Sequence, residues 1–240
     1  FEQMEHQWFC KEGTDQEYYA EYKKRAWQFL LDLGFKEERL RFHDHDKLAH
    51  YAKAACDIQY DFPMGWSELN GIHNRTDYDL SRHQEYSGKS MMYVDPVTQE
   101  RYIPYVIEYS IGADRLMLAA LSEAYDEETL ENGEVRNVMR FHPAIAAYKA
   151  AVLPLQKGLA PQAKELLQKL KKHFLVTYDE AGSIGKRYRR QDEIGTPYCL
   201  TVDFDTLQDG TVTVRDRDTM EQVRMTADEV VAFLTEKCAF

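Results

Sequence analysis

The sequence lacks several features that would assign it to a common functional class. No run approaches the roughly 20 apolar residues that a membrane-spanning helix needs, so a membrane protein is excluded. The first residue is not Met and no signal peptide follows it, so we interpret the chain as part of a longer polypeptide. The four cysteines include no CxxC pair, which excludes a zinc ribbon and favours a reducing cytoplasm. A glycine-rich phosphate loop, a nucleophile elbow and an HExxH motif are also absent.

Charge is distributed unevenly along the 240 residues. The net charge of −11 argues against a nucleic-acid partner. Residues 1–136, however, contain 15 basic and 27 acidic side chains, whereas residues 137–240 contain 15 and 14. Within residues 137–202, 11 basic side chains face only 5 acidic ones. We therefore predict two domains with different partners, residues 1–137 and residues 138–240.

The two predicted domains differ in their pattern. In the first, strands are predicted at residues 1–10, 56–62, 66–72 and 102–110, helices at 13–33 and after Gly112, and a polar loop at 74–92. Because these strands do not alternate regularly with helices, the expected fold is α+β with an antiparallel sheet. The second domain is predicted to be α/β. Its expected elements are helices from Pro161, at 183–193 and after a Thr226/Glu229 capping box, strands at 175–178 and 198–204, and a hairpin turn at Asp209-Gly210.

Acidic and polar side chains share one face of three predicted strands. The pairs are Gln3 with Glu5, Glu68 with Asn70, and Glu108 with Ser110. If these strands are neighbours, they form a carboxylate-lined floor that suits an ammonium group, or Mg²⁺ beside a polyphosphate. A solvated sheet face is the alternative.

Two further features point to anions. Arg115 opens a helix directly after a strand, where it could bind a phosphate, although a surface arginine explains it as well. Lys186, Arg187, Arg189 and Arg190 surround Tyr188, a combination that can bind phosphates and stack a base. A solvated basic helix is the alternative for this segment.

A histidine-rich stretch suggests a metal site. His43 and His45 would share a face of a strand, and His50 follows, which keeps a metal hydrolase as a hypothesis. The stretch has no clear strand pattern, so we interpret it as a solvated charged loop and predict no metal site.

Four blocks together resemble the homodimeric, class II type of glycyl-tRNA synthetase. They are FEQME at residues 1–5, GWSELxGIxxRTDYDL at 65–80, RHQEYSGK at 82–89 and EYSIGADR at 108–115. The resemblance implies part of a class II antiparallel catalytic sheet, from the end of motif 2 through motif 3, followed by an α/β anticodon-binding domain. It also implies ATP-dependent activation of glycine and its transfer to tRNA(Gly) in the cytoplasm, with Mg²⁺ accompanying ATP and with a homodimer in the full-length protein.

The resemblance also implies roles for individual residues. Glu5 would bind the glycine ammonium, with Glu108 and Ser110 completing a small acidic pocket, and Arg75 would help hold the substrate. Arg115 would bind the γ-phosphate, and Glu68 would contact ATP and its magnesium. The full set expected at the substrate is Phe1, Glu2, Gln3, Met4, Glu5, Arg75, Glu108, Tyr109, Ser110, Ile111 and Gly112. The set expected at ATP is Glu68, Leu69, Gly112, Ala113, Asp114 and Arg115, and the set expected at RNA is Lys186, Arg187, Arg189 and Arg190.

The sequence departs from the family pattern at its start. Motif 1, which builds the dimer interface, is not found, and neither is the motif 2 arginine that contacts the α-phosphate. We therefore expect the chain to have little activity alone. The competing hypothesis is a non-catalytic nucleic-acid-binding relative, such as a DNA polymerase processivity subunit. Such a relative has no reason to keep Glu5, Glu68, Glu108, Ser110 and Arg115 together.

Overall fold

The computed structural model describes residues 1–240 and divides them into two compact units, Phe1–Ser122 and Glu123–Phe240. In chain order the first unit consists of β1 (Gln3–Cys10), α1 (Asp15–Asp32), β2 (Leu40–Asp44), β3 (Ala54–Phe62), β4 (Gly65–Asn74), α2 (Tyr78–Ser87), β5 (Tyr93–Val94), β6 (Arg101–Tyr102), β7 (Tyr105–Gly112) and α3 (Ala113–Ala124), the last of which ends just past the division. No helix of the chain is long and apolar enough to cross a bilayer.

A five-stranded antiparallel sheet forms the centre of the first unit. Its strand order is β1-β7-β4-β3-β2, which confirms the predicted α+β fold. One face packs against α1, whose buried stripe recurs at helical spacing through Tyr19, Tyr22, Ala26 and Leu30. The opposite face carries most of the charged side chains of the strands. The edge strand β1 is exposed along nearly its whole length.

Two predictions for the first unit were wrong. The segment predicted as a loop contains α2, which ends at Gly88 with a left-handed backbone (φ 68°). This helix has few apolar residues and buries none, so it has little of the periodicity by which helices are recognised. The histidine stretch is partly a strand, because His43 lies in β2 opposite Asp57 of β3. Charged residues are acceptable there since β2 is an edge strand.

The second unit contains a second five-stranded sheet and a separate hairpin. Its sheet has the order β11-β10-β12-β13-β14, parallel around β10 and antiparallel beyond β12. The elements are β8 (Tyr125–Thr129), β9 (Val135–Met139), β10 (Ala150–Pro154), α4 (Ala160–Leu170), β11 (Val176–Tyr178), α5 (Ile184–Glu193), β12 (Tyr198–Val202), α6 (Thr206–Asp209), β13 (Thr211–Asp216), β14 (Gln222–Thr226) and α7 (Ala227–Lys237).

Most predicted elements of the second unit are confirmed, including the capping box of α7. Two details differ. The strand β12 is buried at all five positions, so it is a central strand rather than a half-exposed alternating one. The residues Asp209-Gly210 do not form a tight two-residue hairpin turn, because Asp209 is the last residue of the short helix α6, which lies between β12 and β13. The edge strand β14 was not predicted at all.

The division between the units lies before the hairpin β8–β9, earlier than the charge shift suggested. Arg136 of β9 is fully buried and its Nε donates to Asp192 of α5 at 3.0 Å, which fixes the hairpin to the second unit. With this division the first unit has 14 basic and 21 acidic side chains and the second has 16 and 20. The contrast in net charge therefore came mainly from one acidic hairpin, although residues 137–202 remain locally basic.

Candidate active site and nucleic-acid surface

The strand register places the predicted acidic residues on one face of the first sheet. Glu5 of β1 lies opposite Ser110 of β7, and Gln7 lies opposite Glu108. On the other side of β7, Gly71 and His73 of β4 lie opposite Ser110 and Glu108. Since residues paired across antiparallel strands point to the same side, these side chains form the polar face of the sheet.

A β-bulge decides the position of Glu68. The register between β3 and β4 shifts, so that Ile58 pairs with Asn70 but Gln59 pairs with Glu68, which leaves Leu69 as the additional residue. Glu68 therefore joins the polar face, whereas Asn70 is buried on the helix-packed face. The prediction that Glu68 and Asn70 share a face was wrong, because a bulge reverses the alternation of side chains.

A cavity of about 380 Å³ opens at the end of the polar face next to α3. Arg115 lies at its rim and donates from Nη1 to the backbone oxygen of Glu68 at 2.7 Å. The backbone N–H of Ala113 donates to the oxygen of Glu2 at 2.9 Å, which ties the start of α3 to the segment before β1. All nine lining residues belong to the predicted substrate and ATP sets: Phe1, Glu2, Gln3, Glu68, Leu69, Ser110, Gly112, Asp114 and Arg115.

Three residues of the predicted substrate set lie on the other side of the sheet. Met4, Tyr109 and Ile111 line a separate cavity of about 280 Å³ that also involves α1. Met4 pairs with Ile111 in the same register that places Glu5 opposite Ser110. The period-2 alternation of a strand directs them away from the polar face, so they do not line the cavity beside α3. Its lining also lacks four other predicted residues: Glu5, Arg75, Glu108 and Ala113.

Glu108 is the most constrained carboxylate of the polar face. Its Oε1 accepts from Nη1 of Arg75 at 3.1 Å and its Oε2 accepts from Nε2 of Gln7 at 3.2 Å, while the residue is only 8% exposed. The contact with His73, followed by the charge of Arg75, lowers the pKa of Glu108 against the opposing effect of burial. The carboxylate is therefore held in its ionised form.

Arg75 is fixed by three neighbours. Its Nε donates to Asp79 at 2.8 Å, its Nη1 contacts Glu108, and its guanidinium lies 4.2 Å from the ring centroid of Tyr51. The hydrogen bonds with Asp79 and the charge of Glu108 raise the pKa of Arg75, although burial opposes this. The sequence predicted Arg75 as a site residue, and strand alternation placed Gln7 on the face of Glu5 without assigning it to the site. His73 and Gly71 were not predicted, because they required the register between β4 and β7.

The histidines form no metal centre. The Nε2 of His45 lies 2.8 Å from a carboxylate oxygen of Asp57, and the rings of His43 and His45 are 6.1 Å apart. The structure contains no group of three or more His, Cys, Asp or Glu side chains that could hold a metal ion. The metal-hydrolase hypothesis therefore has no geometric support.

The basic side chains of α5 are of two kinds, one buried and the others at least partly exposed. Arg187 is 4% exposed, and its guanidinium donates to the backbone oxygens of Pro154, Ala181 and Gly182. It is therefore not available to RNA, contrary to expectation. Arg190 forms an ion pair with Asp179, whereas Lys186 is exposed and Arg189 is half-buried. Lys186, Arg189 and Arg190 line an open cavity of about 720 Å³ in the second unit, together with Tyr188 and the buried Arg215.

Comparison with known proteins matches both units. Residues 149–237 match the family model of the anticodon binding domain. The whole chain is 60% identical to proteins named glycine–tRNA ligase from Clostridium kluyveri and from Geobacillus kaustophilus. This chain is a homologue of glycine–tRNA ligases. It spans about half the length of the curated relatives it matches, 52% and 53% of these two.

A solved structure supports the fold as well. The RNA binding domain of threonyl-tRNA synthetase from Cryptosporidium parvum Iowa II superposes with a TM-score of 0.73 at 17% identity. The superposition covers 99% of this chain and 64% of that chain, and at this identity it establishes a shared fold. The resemblance to glycine–tRNA ligases is thus confirmed, and the alternative of a polymerase processivity subunit is not supported.

Proposed function

We propose that this chain forms part of a glycine–tRNA ligase, which activates glycine with ATP and transfers it to tRNA(Gly). The observation that carries the proposal is the cavity beside α3, because it is lined entirely by residues of the predicted substrate and ATP sets. These residues come from three strands and one helix that are distant in sequence. A solvated sheet face has no requirement for such a convergence.

The glycine end of the site lies at Glu5, Glu108 and Ser110. Two carboxylates and a hydroxyl suit an ammonium group, and Arg75 holds the buried Glu108 in place. Space beside Ser110 is restricted, because a Cβ added to Gly71 would lie 2.9 Å from Cε1 of His73 and 3.6 Å from the Ser110 Oγ. A crowded wall of this kind favours an amino acid without a side chain, since larger substrates are rejected by steric exclusion.

The ATP end of the site lies at the start of α3. Arg115 supplies a cation for the γ-phosphate, and Leu69, Gly112, Ala113 and Asp114 surround the nucleotide. Glu68 is exposed at the cavity and can hold Mg²⁺ through one carboxylate, which fits the habit of this ion of sharing its ligands between a protein carboxylate and substrate phosphates. Mg²⁺ neutralises phosphate charge when it is bound with ATP.

The chemistry requires positioning and charge neutralisation. A carboxylate oxygen of glycine attacks the α-phosphorus of ATP, the bond to the β-phosphate oxygen breaks, and pyrophosphate leaves with its electron pair. A hydroxyl of the terminal adenosine of tRNA then attacks the glycyl carbonyl and AMP leaves. Arg115 offsets charge on the departing phosphates, and the carboxylates hold the ammonium end, so that the reacting atoms are aligned.

The second unit is proposed to bind tRNA. Lys186, Arg189 and Arg190 line one cavity with Tyr188, which combines cations for phosphates with an aromatic ring for a base. The buried Arg187 is removed from the predicted RNA set. We also propose a homodimer of the full-length polypeptide and a cytoplasmic location, the latter supported by four free cysteines.

Glycine-dependent exchange of pyrophosphate into ATP tests the catalytic proposal. We expect exchange by a polypeptide of the relatives' full length that contains this chain, with glycine but not with alanine or serine, and little exchange by residues 1–240 alone. The change Arg115→Ala is expected to lower the rate about 100-fold or more. A folded full-length polypeptide that shows no exchange with glycine would contradict the proposal.

Salt-dependent binding of tRNA(Gly) tests the second unit. We expect Lys186→Ala to weaken binding and to reduce the slope of log K against log salt by about 1. Lys237→Ala, at the end of α7 and outside the cavity, is the matched control and should leave the slope unchanged. Equal effects of the two changes would count against the assignment of this cavity.

A further inference from the structure

His73 is the side chain of β4 that lies directly opposite Glu108. Its Nδ1 lies 3.5 Å from Oε1 of Glu108, and the two side chains are 18% and 10% exposed. That nitrogen is buried and has no hydrogen-bond partner, so the Glu108 carboxylate is the acceptor nearest to it. In the tautomer that carries the proton on Nδ1, or as an imidazolium, the ring donates toward the carboxylate.

The ring of His73 is held from its other sides. His45 packs edge-on against it with ring centroids 6.1 Å apart, and His45 is itself paired with Asp57 at 2.8 Å. The ring also lies close to the backbone of Gly71, since a Cβ added there would be only 2.9 Å from the His73 Cε1. The titratable groups in contact with His73 are therefore Glu108 from β7 and His45 after β2, and these two are paired in turn with Arg75 and Asp57.

We propose that His73 is a positioning residue that fixes the Glu108 carboxylate for recognition of the glycine ammonium. The inference rests on the proposed function of this site. Two donors hydrogen-bond Glu108, Gln7 on Oε2 and Arg75 on Oε1, and the Nδ1 of His73 lies 3.5 Å from the same Oε1. Gln7 and Arg75 hold one carboxylate oxygen each, and His73 approaches Oε1 from β4, the strand on the other side of β7 from Gln7. His73 acts through Glu108 and does not contact the substrate.

Three substitutions test this role. His73→Asn keeps an amide nitrogen where Nδ1 lies, His73→Gln moves the amide outward to the position of Nε2, and His73→Leu removes the donor. The carboxyl pKa of Glu108 is measured by ¹³C NMR titration of residues 1–240, and the glycine and ATP KM values are measured by pyrophosphate exchange in the full-length polypeptide. His43→Asn on the same face is the matched control, because His43 contacts His45 rather than Glu108.

We expect His73→Leu and His73→Gln to raise the pKa of Glu108 and to increase the glycine KM about tenfold, with the ATP KM unchanged. His73→Asn should restore both values, and His43→Asn should change neither. If either readout stays at the wild-type value in both folded loss variants, or if His73→Asn is as impaired as they are, the proposal is overturned.

The outcomes separate this proposal from the function on which it rests. If Glu108→Gln and Arg75→Ala leave glycine-dependent exchange intact, the assignment of the glycine site fails, and the positioning role fails with it. If those changes abolish exchange while His73→Leu alters neither the Glu108 pKa nor the glycine KM, only the positioning role fails.

Discussion

The polar face of the first sheet and the basic helix α5 of the second unit both attracted functional predictions because of their charge. On the sheet, strand alternation keeps Glu5, Glu108 and Ser110 on one face, and Ser110 also lines the cavity beside α3. On the helix, Arg187 is buried against backbone oxygens and Arg190 is paired with Asp179, so that much of the charge maintains the fold.

The difference shows that the period of an element determines what its charges can do. A strand directs every second side chain to the same face of its sheet, and the sequence shows which residues share that face. A short helix that packs against a sheet turns some of its charges inward, where each needs a partner. In the second unit Asp192 supplies one, since its fully buried carboxylate accepts from Arg136 and Arg215.

The largest effect is expected from Asp192→Ala. Removal of this carboxylate leaves the buried Arg136 and Arg215 without their shared partner, so we expect a loss of about 3–5 kcal/mol in the free energy of unfolding. Urea unfolding of the intact chain, followed through a probe in residues 123–240, measures this loss. Asp228→Ala, which breaks an exposed pair with Lys169, is the control and should cost less than about 1 kcal/mol. Similar losses would remove the distinction between buried and solvated charges.

Arg187→Ala sharpens the comparison within α5 itself. We expect about 2–3 kcal/mol of destabilisation, because the backbone oxygens of Pro154 and Gly182 lose the Arg187 donor, whereas that of Ala181 keeps Arg190. Lys186→Ala should leave stability unchanged and affect RNA binding alone. Thermal denaturation and tRNA binding of both variants are the measurements. If Arg187→Ala weakened RNA binding without changing stability, Arg187 would bind RNA in spite of its burial.

On the sheet, Gly71→Ala tests the crowded wall of the glycine site. The added methyl group displaces the ring of His73, for which we expect a cost of about 1–3 kcal/mol and a higher glycine KM. Gly158→Ala is the matched control, because a Cβ there meets nothing within 4 Å. Equal stability of the two variants would mean that the ring of His73 can move to accommodate a side chain at position 71.

The smallest effect concerns pH and Asp203. Burial opposes its ionisation, but hydrogen bonds from Arg224, Thr206 and Thr213 lower the pKa of Asp203 to about 2. Because the folded-state pKa lies below that of the unfolded chain, the stabilisation is present above about pH 4 and is lost as the pH falls through about 2. We expect about 1–2 kcal/mol, discounted for partial exposure, as the difference between wild type and Asp203→Asn in urea unfolding at pH 6. The difference should shrink as the pH falls from about 4 and should be lost only below about pH 2.

Much of the fold could be predicted from the sequence, and the site could be predicted in part. Alternation and helical spacing identified β1, β3, β4, β7, α1, α4 and α5, and three of the four family blocks contain all the cavity residues. The position of Asn70 could not be predicted, because a one-residue bulge leaves no mark in composition. The burial of Arg187 could not either, since it depends on backbone oxygens of a loop and of β10. The contact of His73 with Glu108 follows from strand register, which is a tertiary property.

The exposed edge strand β1 has a consequence for handling the molecule. Its outer side offers a row of unpaired backbone donors and acceptors, and Trp8 and Phe9 are 39% and 53% exposed beside them. A second copy can add its own β1 to this row, antiparallel, without disturbing either sheet. We therefore expect the folded chain to aggregate in concentrated solution, which light scattering would detect before the chain unfolds. The change Phe9→Lys should prevent this aggregation.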